Sequence, residues 1–175
     1  MGGKEILRGR VWKITDSEGK LIDDIDTDQI YHNAHLAITD LNEMGKYAFG
    51  NLKGWEDFPQ KTQRGDILLV GSNFGAGSSR QQAVDCFISL GIQLIIGRSF
   101  GAIYKRNAIN AGFPILICFE LEKFQIKNSE MLEANLKNGV LKNIDTGVSF
   151  WAQKMSDVQM EIYLAGNLFN YGKTK

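Results

Sequence analysis

The feature that most constrains the fold is a change of hydrophobic period, repeated twice, between residues 67 and 117. Ile67-Leu68-Leu69-Val70 is an apolar run of strand length. A glycine-punctuated loop follows, Gly71-Ser72-Asn73-Phe74-Gly75-Ala76-Gly77-Ser78-Ser79-Arg80. From Gln81 to Leu90 the apolar residues Ala83, Val84, Phe87 and Ile88 then share one face of a 3.6-residue helix. Gly91 reads as its C-cap, and Gln93 to Ile96 as a second buried strand. A second helix is expected from Gly101 to Ala111, capped by Ser99 and closed by Gly112, with Ile103, Ala108 and Ala111 facing the core. Pro114 to Phe119 supplies a third apolar strand. Strands joined by such short helical connections require right-handed crossovers and parallel pairing. The expectation is an α/β fold with a central parallel βαβαβ unit and additional strands at both ends.

The flanks supply those strands. Ile6 to Ile14 reads as a strand, Thr15 to Lys20 as a turn, and Leu21-Ile22 as a short return strand. Thr39-Asp40-Leu41-Asn42-Glu43 resembles a capping box opening a short helix that ends near Gly50. Trp55 to Pro59 reads as a loop broken by Pro59. Beyond the central unit, Ser129 is expected to cap a helix running through Leu136. Val140-Leu141 and Val148 to Ala152 read as strands, Asp157 as the cap of a last element around Met160 to Leu164, and Tyr171 to Lys175 as frayed. The chain of 175 residues is read as one domain, 1–175, large enough for a substantial core.

Composition removes several function classes. Lys plus Arg, 20 in all, balance 20 Asp plus Glu, so no basic field exists to drive binding to nucleic acid or an acidic membrane. No apolar run approaches the roughly 20 residues of a membrane span. Met1-Gly2-Gly3-Lys4-Glu5 lacks the apolar centre of a signal peptide and is a poor myristoylation match, so a cytoplasmic protein is expected. Cys86 and Cys118 read as two buried, reduced thiols, and without CxxC spacing they cannot hold an iron–sulfur cluster by themselves. His32 and His35 lack supporting Cys or acid at ligand spacing and read as loop residues.

The Gly-rich loop carries the chemistry. Strand, polar loop and helix point backbone N–H groups and a helix N-terminus at an anion. Ser78 or Ser79 is a natural N-cap. Arg80 opens the first turn, a poor place for a cation unless it meets an anionic ligand, where it can clamp a carboxylate. The loop is not a Walker A loop, because no Gly-Lys-Ser/Thr follows. Asp23-Asp24-Ile25-Asp26-Thr27-Asp28 gathers four carboxylates without the glycine and closing glutamate of an EF-hand.

Phe74 to Arg80, Arg98 to Pro114 and Asp26-Thr27-Asp28-Gln29-Ile30 together resemble the small subunit of 3-isopropylmalate dehydratase, the swivel domain of the aconitase superfamily. The resemblance covers roughly residues 20 to 120. It implies a swivelling β/β/α domain and a hydro-lyase that dehydrates and rehydrates a malate-type hydroxy acid. It implies Ser78 as the base, with Ser79, Arg80 and Asp28 around the substrate. The loop Tyr31 to Leu36, with Ala34 and His35, would read the part of the substrate that varies between relatives. It further implies a large-subunit partner holding a [4Fe-4S] cluster whose iron takes the hydroxyl, no cofactor on this chain, and a small dicarboxylate or tricarboxylate substrate. Spacing alone does not choose between Ser78 and Ser79 as base.

Where many relatives have Arg, Lys or Gln near Ala34 and an aromatic near His35, both differ here. Gln81-Gln82 and Arg98 stand where relatives often carry acids, so negative charge near the motif is reduced. That either favours a more anionic substrate or compensates within an ion pair. Homoaconitase-type and other malate-derivative dehydratases, a non-catalytic organic-anion module of the same fold, and a phosphate or nucleotide binder are the competing readings.

Overall fold

The computed structural model describes residues 3–175. Met1 and Gly2, on which the reading of the N-terminus partly rests, lie outside the described residues. In chain order the elements are β1 (Ile6–Lys13), α1 (Thr27–Ile30), α2 (Leu41–Met44), α3 (Phe58–Lys61), β2 (Ile67–Val70), α4 (Gln82–Leu90), β3 (Leu94–Gly97), α5 (Ala102–Asn110), β4 (Ile115–Ile117), β5 (Met131–Asn135), β6 (Val140–Asn143), β7 (Ser149–Trp151), α6 (Asp157–Ala165) and α7 (Leu168–Gly172).

One seven-stranded sheet runs in the order β4-β3-β2-β1-β5-β6-β7. The first four strands are parallel, and β5 to β7 continue antiparallel from the other side of β1. Every residue of β2 is buried, as a parallel strand covered on both faces must be. Its side chains alternate between two cores. Leu68 and Val70 join Phe74, Val84, Phe87 and Tyr104 on the helix side. Ile67 and Leu69 join Leu132, Ala134 and Leu141 from the antiparallel strands on the other. The sheet therefore curls so that its antiparallel half covers one face of its parallel half while helices cover the other. A β/β/α layering results, as expected from the resemblance. The curled edges meet where Gln153 N–H donates to the Ile117 carbonyl at 2.7 Å.

The central unit forms as its hydrophobic period dictates, and Gly91 closes α4 in the left-handed conformation at φ 81°. Several flanking expectations are corrected. Residues 131–135 form β5, not a helix capped by Ser129. Leu132 and Ala134 are buried in alternation, and pairing of Leu7 with Ala134 and Gly9 with Leu132 overrides the helical propensity of the segment. Leu21 makes only an isolated bridge to Thr15 rather than a return strand. Pro59 lies in the first turn of α3, where its missing N–H costs nothing, rather than breaking a loop. Asp40 does cap α2, but Ser156, not Asp157, caps α6, in a reciprocal box with Gln159. Tyr171 lies within α7. Ile103 is 48% exposed, and Tyr104 takes the buried position instead.

Candidate active site

The loop after β2 is locked from both sides at the C-terminal end of the parallel strands. Phe74 N–H donates to the Ser99 carbonyl at 3.1 Å, and Gly101 N–H returns a bond to the Phe74 carbonyl at 2.9 Å. On the other flank Gly75 N–H donates to Ile25 at 2.7 Å and Thr27 N–H to Ala76 at 2.9 Å. The Thr27 hydroxyl then donates to the Ser78 carbonyl at 3.0 Å. Three segments far apart in sequence thus form a small extra ladder above the sheet. Phe74, 1% exposed, anchors it among Phe49, Phe87, Phe100 and Tyr104. Gly75 has φ +80°, and a Cβ there would lie 2.2 Å from the Tyr104 ring, so only glycine fits.

Neither serine caps α4. Its N-cap is Gln81, without a side-chain bond, and Ser99 likewise does not cap α5 but accepts the Asn73 N–H at 2.7 Å. The bridges of Phe74 to Phe100 and of Ala76 to Asp26, with Gly75 and Gly77 at positive φ, hold this stretch out of the helix, which therefore starts later than the loop chemistry suggests. Ser78 and Ser79 are exposed instead. Among the described residues no protein acceptor takes the N–H groups of Gly77, Ser78, Ser79 or Arg80. These donors and the exposed hydroxyls are left available to a ligand, and an anion is the kind that such donors suit.

Arg80 is the best-held of the predicted residues. Its Nη1 donates to Asp28 Oδ1 at 3.0 Å and to the Tyr31 carbonyl at 2.8 Å. Asp28 also accepts the Asn33 N–H at 3.0 Å and Asn51 Nδ2 at 2.9 Å. Partial burial pushes the Asp28 carboxyl up. The Arg80 guanidinium and the Asn33 N–H, with the charge of His32, outweigh it and hold the group below its ordinary value. Asp28 is thus ionised at neutral pH, and Arg80 is fixed through one nitrogen while Nη2 and Nε have no hydrogen-bond acceptor among the described residues.

The structure therefore brings Ser78, Ser79, Arg80 and Asp28 together. It links Ala34 and His35 to them only through the chain segment after Tyr31. Ala34 is exposed and donates its N–H to His32 Nδ1 at 3.0 Å. His35 stacks on Tyr47, ring centres 3.9 Å apart, and its carbonyl accepts the Tyr31 hydroxyl at 2.9 Å. Gln81 Nε2 bonds Asp85 at 3.1 Å, and Arg98 bridges Asp23 and Glu122. Arg98 thus compensates acids within an ion-pair cluster. One residue at the site was not singled out in the sequence: Asn107 of α5, which lies within the Arg98 to Pro114 segment, donates from Nδ2 to Ser79 Oγ at 3.2 Å.

Residues 55–120 match the family model of the aconitase C-terminal domain. The chain is 36% identical to 3-isopropylmalate dehydratase small subunit 1 of Methanopyrus kandleri, over 94% of this chain and 91% of that protein. It is 37% identical to the isopropylmalate/citramalate isomerase small subunit of Methanocaldococcus jannaschii, over 98% and 96%. The chain belongs to the 3-isopropylmalate dehydratase small-subunit family. The crystal structure of 3-isopropylmalate dehydratase from Methanocaldococcus jannaschii superposes with a TM-score of 0.83 at 33% identity, covering 97% of this chain and 94% of that one. As a small subunit of this hydro-lyase family, the chain works within a heteromer that includes a large subunit.

This small subunit's own residues do not fit an iron–sulfur ligand set. Cys86 lies in the helix-side core and Cys118 in the strand-side core, with the sheet between them. Burial raises both thiols, Cys118 to about 11, whereas a cluster ligand must be a thiolate. Among the described residues no three His, Cys, Asp or Glu side chains converge on a possible metal position. No helix among them is long and apolar enough to cross a membrane.

Proposed function

We propose that this chain, as one swivel domain spanning residues 1–175, is the small subunit of a cytoplasmic 3-isopropylmalate dehydratase and supplies the base and a carboxylate clamp. The observation that carries the reading is the pair of exposed serines, Ser78 and Ser79, beside the 13% exposed side chain of Arg80, locked by the Ile25–Thr27 and Ser99–Gly101 segments and aligned by the Asp28–Arg80 pair. In this reading Arg80 presents its unpartnered nitrogens to a substrate carboxylate, and Ser79 adds a hydrogen bond. Ser78 removes the proton α to that carboxylate. A serine hydroxyl is too weak a base in water, so its alkoxide must be stabilised by the free N–H groups of the loop and by Arg80.

An open surface does not exclude water, and the large subunit must cover the loop to make a dry site. We assign the [4Fe-4S] cluster to that subunit, since the thiols of this chain are separated by the sheet. Ala34 and His35, beside the clamp through Tyr31, line the side that meets the variable substituent. The same cradle would take citramalate, on which the isomerase of Methanocaldococcus jannaschii acts by its name.

The test is an anaerobic pull-down with this chain as bait, followed by assay of the complex. An iron-bearing partner of roughly 40–50 kDa and interconversion of isopropylmalate isomers, followed by the absorbance of the unsaturated intermediate, is the expected result. The ratio of kcat/KM for 3-isopropylmalate and citramalate assigns the substrate. Absence of an iron-bearing partner would leave an organic-anion module.

A further inference from the structure

We propose that Asn107 is a positioning residue that orients the Ser79 hydroxyl for substrate binding, an inference that rests on the reading of Ser79 as a carboxylate ligand. Asn107 lies on the second turn of α5, half-buried, and its Nδ2 reaches Ser79 Oγ at 3.2 Å across a separation of 28 residues. Among the described residues it is the only hydrogen bond made by either serine side chain. A hydroxyl has one proton and two acceptor lone pairs. With one lone pair occupied by the amide of Asn107, the single proton of Ser79 is left to point away from α5 into the cradle. An incoming carboxylate needs a donor there, and a freely rotating hydroxyl would pay to adopt that direction on binding.

The support beneath Asn107 is rigid. The neighbouring Tyr104 and Ala108 of α5 are buried, and the Tyr104 hydroxyl donates to the Ala83 carbonyl of α4 at 2.9 Å. Gly101, the N-cap of α5, is bonded to the loop through the Phe74 carbonyl. Helix and loop therefore hold a fixed separation, and the amide reaches the serine without a change of backbone. The bond matters to binding rather than to folding, because it joins two side chains at the surface.

The experiment is a double-mutant cycle on the reconstituted two-subunit enzyme with 3-isopropylmalate. Asn107→Ala is expected to raise KM about tenfold with kcat within about twofold, the effect of one lost hydrogen bond. In a Ser79→Ala background the same substitution should change KM by less than about twofold, because the group it acts through is gone. Asn107→Asp keeps the shape but offers only acceptors, and it should raise KM more than Asn107→Ala. An equal KM increase in both backgrounds would overturn the positioning role, and so would an Asn107→Asp enzyme with unaltered KM. If Ser79→Ala alone leaves KM unchanged, the reading of Ser79 itself fails, and the role of Asn107 fails with it.

Discussion

At the scale of single residues, the clamp is asymmetric. One nitrogen of Arg80 serves the fold and the rest are left for a ligand. Arg80→Lys keeps the charge but loses the planar fork, and KM of the two-subunit enzyme should rise at least tenfold. Asp28 is 40% exposed on its side chain, so its ion pair contributes little to stability. Asp28→Ala should therefore raise KM several-fold while the melting temperature of the isolated chain stays within a few degrees. Ser78→Ala should lower kcat roughly 10²–10⁴-fold, the usual contribution of a general base, with KM much less affected. These residues were legible in the sequence as types: two serines and an arginine after glycines. That Arg80 is held by Asp28, 52 residues away, was not, because nothing local encodes the pairing.

At the scale of elements, the loop is bridged to two neighbouring segments and its serines cap no helix. Its shape is set by Phe74 in the core and by glycine at 75. Gly75→Ala must drive a methyl into the Tyr104 ring and hold alanine at φ +80°. The expected loss is on the order of 2–4 kcal/mol from strain and overpacking combined. Urea denaturation of the isolated chain checks it. The central helices were legible because their apolar period repeats without ambiguity. β5 was not: Met131-Leu132-Glu133-Ala134-Asn135 is made of good helix formers, and its strand state comes from β1 alongside. The serines show the same limit from the other side. Their capping propensity is real, but the hydrogen bonds to Ile25 and Thr27 reach the loop first.

At the scale of the molecule, the parallel half is fastened at the end opposite the loop by one buried carboxylate. Asp66, 3% exposed at the start of β2, accepts from Arg10 Nη2 at 2.9 Å, Trp12 Nε1 at 2.8 Å, Thr62 Oγ1 at 3.0 Å and Gln63 N–H at 2.8 Å. Burial pushes its carboxyl up, but Arg10 and these donors outweigh it and hold the group below 3.8. A depressed folded-state value stabilises the fold above the unfolded value, and that stability is lost as pH falls through the folded one. The stability gap between wild type and Asp66→Asn should therefore be constant near neutrality and close below about pH 4. At neutral pH, Asp66→Ala should cost about 1–3 kcal/mol or more, since it leaves Trp12 Nε1 and the Gln63 N–H without their acceptor. Both thiols should resist a disulfide reagent in the native chain and react only on unfolding, since each is nearly or fully buried.

By itself the sequence determined the α/β class, the order of strands and helices through the central unit, and the residue types of an anion cradle. Those depend on periodicity and on glycine, which act within a few residues. Only the tertiary structure decided which strands flank β1, how the sheet curls into two cores, and which partners aim the cradle. Asp28, Thr27 and Asn107 reach the loop from outside it, and side chains so far apart in the chain meet only once the sheet has closed.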